Sequence, residues 1–194
     1  MNQPVLRGVH HTARPTWKLR ETVEFYRDKL GLKLVHAISA KGWGPEGHPD
    51  FLHFFFDSGN GSTIAFFYYI GAAQPDYLVH KPQWDCDSVH TAWQVDSEHD
   101  LLEWKAFLEK RGVKVDMHIQ HELIESIYFR DPNGYLVEIG RQLRDMSALD
   151  ERDAGMTLEA AIAAETEGCS GGTPFKSIES VWRRKGALQR KALA

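Results

Sequence analysis

The sequence predicts an α+β protein made of two β-α-β-β-β modules followed by a partly helical C-terminal tail. Three observations carry that prediction. The tripeptide His-Thr-Ala stands at residues 11–13 and again at residues 90–92. Each copy is followed by a helix-period segment, a glycine and an alternating strand. Each half then closes with two extended runs joined by a tight turn.

The first helix places Leu19, Val23, Tyr26 and Leu30 at steps of three and four, which makes one buried stripe. Gly31 follows, as suits the position just past a helix end. The second helix opens at Ser97, a capping residue with Asp100 three positions on, and carries Leu101, Trp104 and Leu108 before Gly112. The strands "LKLVHAI" and "VKVDMHI" come next. In the first half, "DFLHFFF" and "STIAFFYYI" are joined by "DSGNG"; in the second, "ESIYF" and "YLVEIG" are joined by "DPNG". Modules of about 5–70 and 86–142 result, with residues 71–87 as linker. Residues 1–142 form one domain. Residues 143–194 form a C-terminal helical appendage, with a helical stretch near 156–166, a Gly-rich break "GCSGGTP" and a basic helical end.

Composition sets bounds on function. The 194 residues are 42% apolar and 26% charged, with a net charge of −4. No basic footprint for nucleic acid is present. No apolar run is long enough to span a bilayer, and the opening "MNQPVLRG" lacks the apolar stretch of a signal peptide. Cys86 and Cys169 stand far apart and form no CxxC, so a reduced, cytoplasmic protein is expected.

The repeat also singles out candidate ligands. Strand alternation puts Val89, Thr91, Trp93 and Val95 on a helix-packing face and His90 on the other. His11 takes the equivalent place in the first half. His10 aligns with Val89 and is read as structural. Glu138 lies in the otherwise apolar "YLVEI", where a carboxylate without a charged partner is costly. Two imidazoles and a carboxylate suit one divalent metal: Fe(II), Mn(II) or Zn(II). The first-half counterpart of Glu138 falls near Ala65 or Phe66, neither a ligand, which leaves coordination positions open. Phe51, Phe54, Phe56, Phe66 and Tyr68 are candidates for an aromatic pocket lining or for simple core packing.

With "GVHHT", "SVHTA" and "YFRDPNGYLVE" in view, residues 5–142 resemble the vicinal oxygen chelate superfamily, which includes glyoxalase I, fosfomycin-resistance thiol transferases and extradiol dioxygenases. The segment "IQHELIESIYFRDPNGYLVE" (119–138) is most similar to the signature of extradiol ring-cleaving dioxygenases, through His121, Ile127, Tyr128, Asp131, Pro132, Gly134 and Glu138. The resemblance implies a cup-shaped mixed sheet around a metal held by His11, His90 and Glu138, with Fe(II) favoured. It implies Tyr128 bonded to substrate near the metal, and His121 lining the pocket. The substrates implied are a catechol-like aromatic diol and O₂. One position departs from the pattern. Where such dioxygenases carry a pocket histidine, "GSTIAF" has Ser62; His53 is a candidate substitute on the preceding strand, but the alignment does not put it at that place. A glyoxalase-like isomerase or a thiol transferase acting on a small chelating substrate is therefore the alternative, and a non-catalytic binding protein of the same fold a third. A homodimer is expected, with the tail helping to cover sheet edges.

Overall fold

The structure, a computed structural model, describes residues 9–81, 83–170 and 177–193. The opening segment 1–8 and most of the Gly-rich break, residues 171–176, lie outside the described residues. The chain divides after Leu143 into two compact units.

The first unit runs β1 (His11–Pro15), α1 (Leu19–Val23), β2 (Leu34–Ala40), β3 (Phe51–Gly59), β4 (Ser62–Tyr69), α2 (Trp84–Asp87), β5 (His90–Val95), α3 (Glu98–Lys110), β6 (Val115–Gln120), β7 (Ile124–Arg130) and β8 (Leu136–Gln142). These strands make two four-stranded mixed sheets, ordered β1-β4-β3-β2 and β5-β8-β7-β6. In each, the first strand of the module runs parallel to the last, and the other pairs are antiparallel. The two β-α-β-β-β modules are thus the same motif twice.

Local chemistry explains the elements. Ser97 caps α3, its hydroxyl accepting from Asp100 N–H at 3.2 Å. Asn60 and Gly61 both take positive φ, 51° and 75°, as a two-residue hairpin between β3 and β4 requires. α1 differs from a plain helix: after Val23 it widens into a π turn over Glu24–Lys29, with Leu30 N–H bonded to Phe25 C=O. The wider turn brings two successive aromatics, Phe25 and Tyr26, into the core.

That core is shared by both modules. Tyr26, Phe56 and Phe66 of the first lie in one cluster with Leu101, Phe129 and Val137 of the second. Of the five aromatics considered for a pocket, Phe54, Phe56, Phe66 and Tyr68 belong to this cluster; strand parity puts Phe51, Phe55, Phe67 and Tyr69 on the opposite face. A polar joint reinforces the packing. Asp131 accepts from the Tyr26 hydroxyl at 3.1 Å. Asn133 accepts from Thr16 at 2.7 Å and donates to Thr22 at 3.0 Å. Burial raises the Asp131 pKa despite bonds from Asn133, Tyr135 and Tyr26 that oppose the rise.

The second unit is a helical hairpin of α4 (Ala148–Ser170) and α5 (Ile178–Leu193). Ala160, Ala164 and Val181 form its small core, and Lys185 pairs with Asp153 at 2.6 Å. No described helix is long and apolar enough to cross a membrane.

Candidate metal centre

Strand register aligns the two halves residue by residue. His11 stands opposite Thr63 and Ala13 opposite Ala65; His90 stands opposite Leu136 and Ala92 opposite Glu138. His11 and His90 are therefore equivalent, and the counterpart of Glu138 is Ala65.

In the second module the structure brings four expected residues together. His90, at the start of β5, has Nε2 2.9 Å from Glu138 Oε2. Glu138, in mid-β8, is 5% exposed, and its Oε1 accepts from the Tyr128 hydroxyl at 3.2 Å. His121 Nε2 lies 3.2 Å from the same hydroxyl. Burial, and then the Glu138 carboxylate, raise the Tyr128 pKa, so the phenol keeps its proton.

The wiring of His90 identifies what this group lacks. Its Nδ1 lies 3.0 Å from the Asp87 carbonyl. A carbonyl only accepts, so Nδ1 carries the hydrogen and Nε2 faces the carboxylate. In a neutral ring that contact sets a bare lone pair against oxygen lone pairs. A cation completes it: a proton on the ring, or a divalent metal taking both donors. No Lys or Arg pairs with Glu138 among the described residues. An imidazole nitrogen fixed by a backbone carbonyl, beside a buried carboxylate, fits a borderline divalent metal.

His11 lies elsewhere. It is on the open face of the first sheet, where its ring meets His53 at 6.4 Å and Phe55 at 5.7 Å. Its Nδ1 is 2.8 Å from His10 Nδ1. Among the described residues no three His, Cys, Asp or Glu side chains are arranged to hold a metal. Within one chain, therefore, His90 and Glu138 lie together on one sheet and His11 lies on the other.

Residues 8–139 match the model of the Glyoxalase/Bleomycin resistance protein/Dioxygenase superfamily. The chain belongs to this superfamily. Biphenyl-2,3-diol 1,2-dioxygenase 2 of Rhodococcus globerulus is 37% identical over 67 residues, which are 34% of this chain and 34% of that protein. The match thus spans about a third of the curated relative. Two solved structures share the fold. A lactoylglutathione lyase from Agrobacterium tumefaciens has a TM-score of 0.50 and 23% identity over 70% of this chain and 94% of its own. A glyoxalase/dioxygenase from Nostoc punctiforme has a TM-score of 0.52 and 18% identity over 74% and 99%.

Within this superfamily chain, Ser62 opens β4. His53 sits on β3, 7% exposed, its ring flat on Phe67 at 3.7 Å. Burial lowers its pKa, with the neighbouring His11 and His36 adding to the shift and the Phe66 carbonyl opposing it. Period-2 parity on β3, counted from the buried Phe54 and Phe56, places His53 on the face of His11. Beyond Phe67 and Tyr69 lies a cavity of 490 Å³, bordered by Ala13, Pro15 and Trp17.

Proposed function

We propose that the protein is a metal-dependent extradiol-type dioxygenase acting on a catechol-like aromatic diol, with Fe(II) as the favoured metal and Mn(II) or Zn(II) as alternatives. The observation that carries this reading is the run of contacts His121–Tyr128–Glu138–His90 on one sheet face. His121, Tyr128 and Glu138 belong to the dioxygenase-like signature, and the identity with the Rhodococcus diol dioxygenase adds support. In this reaction the ring C–C bond beside the diol breaks, both atoms of O₂ enter the ring-opened product, and no external reductant is consumed.

When bound, the metal supplies a Lewis-acidic, redox-active centre with open positions for diol and O₂. The chain's own residues do the rest. Glu138 and His90 give it an anionic and a neutral donor, and the Asp87 carbonyl fixes the His90 ring. Tyr128, kept protonated by its surroundings, gives its one hydrogen to Glu138 here and would turn it to a substrate oxygen once Glu138 holds the metal. His121 stands 3.2 Å behind that hydroxyl as its proton relay.

His11 joins the other two ligands from a second copy of the chain. β1 and β5 are both edge strands, each presenting its histidine on an open face. A homodimer that sets β1 of one copy beside β5 of the other completes the triad. The absence of a histidine at Ser62 favours a second reading, a glyoxalase-like isomerase using the same metal.

Anaerobic purification, metal analysis and oxygen uptake with substituted catechols test the proposal. One equivalent of Fe(II) per chain and stoichiometric O₂ consumption are expected. Iron-loaded protein that leaves every catechol and the dissolved O₂ untouched turns the reading to the isomerase.

A further inference from the structure

His53 is a buried, oriented imidazole that the metal centre does not use. Its Nδ1 lies 3.1 Å from the Phe66 carbonyl, which can only accept, so that nitrogen carries the hydrogen. The neutral ring then has its lone pair on Nε2. Among the described residues Nε2 has no hydrogen-bond partner. The ring cannot turn freely: it stacks on Phe67 with planes 8° apart and meets Phe55 at 4.2 Å. It stands on the face of His11, 6.4 Å from it between ring centres.

The internal repeat shows that this is a choice of the first module. His53 pairs with Phe67 across β3 and β4, and Ser126 pairs with Gly140 at the equivalent place on β7 and β8. The module with the carboxylate has a serine and a glycine there. The module without it has an imidazole backed by an aromatic ring. Core packing alone does not call for a nitrogen lone pair held open on that face.

We propose that His53 Nε2 is the hydrogen-bond acceptor for a hydroxyl of the substrate, with Phe55 and Phe67 flanking the ring that bears it. This deepens the reading of the site given above and rests on it. It makes His53 a specificity residue: the site takes aromatic molecules that present an O–H donor next to the metal. His11 and His53 come from the same module, so both enter any composite site together.

The test is anaerobic calorimetric titration of the Fe(II)-loaded full chain with catechol, for wild type, His53→Phe and His53→Gln, after metal content has been measured for each. His53→Phe keeps a flat ring but removes the acceptor; His53→Gln keeps an acceptor but removes the ring. Undiminished metal content in both variants is expected, with catechol affinity about tenfold weaker in His53→Phe and within about threefold of wild type in His53→Gln. The opposite ranking means that the ring only packs, and overturns the proposal. Loss of metal from His53→Phe also overturns it. A wild-type chain that takes up no metal defeats the underlying reading instead, and does so before any variant is compared.

Discussion

The Tyr128 hydroxyl donates to Glu138 at 3.2 Å, joining the residue expected to touch substrate to the only carboxylate in the candidate centre. Tyr128→Phe removes that bond and the hydrogen offered to substrate, while Glu138 and His90 keep their positions. Turnover is expected to fall about 10- to 100-fold, with metal affinity falling less. Steady-state kinetics beside metal titration give both numbers. A variant that loses metal and retains its rate per bound metal contradicts the assignment.

A centre shared between copies predicts rescue by mixing. His11→Ala and Glu138→Gln each inactivate the protein alone. In a mixed dimer one site carries both lesions and the other carries neither. Co-refolded variants should therefore regain activity, up to one site in each mixed dimer. No regain at any ratio places all three ligands in one chain. His10→Ala, in the same assay, should cost little; if it abolishes metal binding and His11→Ala does not, the two halves are offset by one residue.

Gly134 has φ of 88°, and a Cβ there would lie 2.6 Å from the His80 carbonyl oxygen. Gly134→Ala is both strained and blocked by backbone. A loss of about 2–4 kcal/mol is expected, read by chemical denaturation. A change below about 0.5 kcal/mol would show that the β7–β8 turn relaxes freely.

The α4 start is expected to respond to pH. Arg144 holds both Asp150 oxygens, at 2.7 and 2.8 Å, and Ser147 N–H and Oγ donate to Asp150 as well. Arg144 first, and then Ser147, hold the Asp150 carboxyl far below its ordinary value of 3.8. A depressed folded pKa means that the contribution is complete above the ordinary value and is lost as pH falls below it. The Asp150 carboxyl resonance should titrate well below 3.8, and α4 should fray only as it does. Ordinary titration near that value would remove the cap.

Much of this arrangement was legible because it depends on period and spacing. The repeat aligned His11 with His90, and strand register confirms their equivalence. Register also chooses Ala65 over Phe66 as the counterpart of Glu138, which the sequence left open. Less legible features depend on geometry between elements. Nothing in "VEFYRD" announces a π turn, because its trigger is the space for two adjacent aromatics rather than a residue type. The aromatic strands "FLHFFF" and "IAFFYY" are apolar on both faces, so their inward and outward residues cannot be separated by hydropathy. The Asp-Pro-Asn-Gly motif read as a turn, which it is; its burial against Thr16, Thr22 and Tyr26 was invisible without the fold.

That last joint has a consequence for how the chain is made. Tyr26 finds Asp131 across 105 residues, and Thr16 finds Asn133 across 117. A ribosome delivers the first module long before the turn that receives it. Until β7 and β8 emerge, the hydroxyls of Thr16, Thr22 and Tyr26 and the apolar face around them have only water or a chaperone to meet. Such long-range closure is slow and exposes sticky surface while it waits. Truncated chains ending before Asp131 should be degraded or aggregate, and the first half is a nascent-chain liability until the last hairpin of the unit arrives.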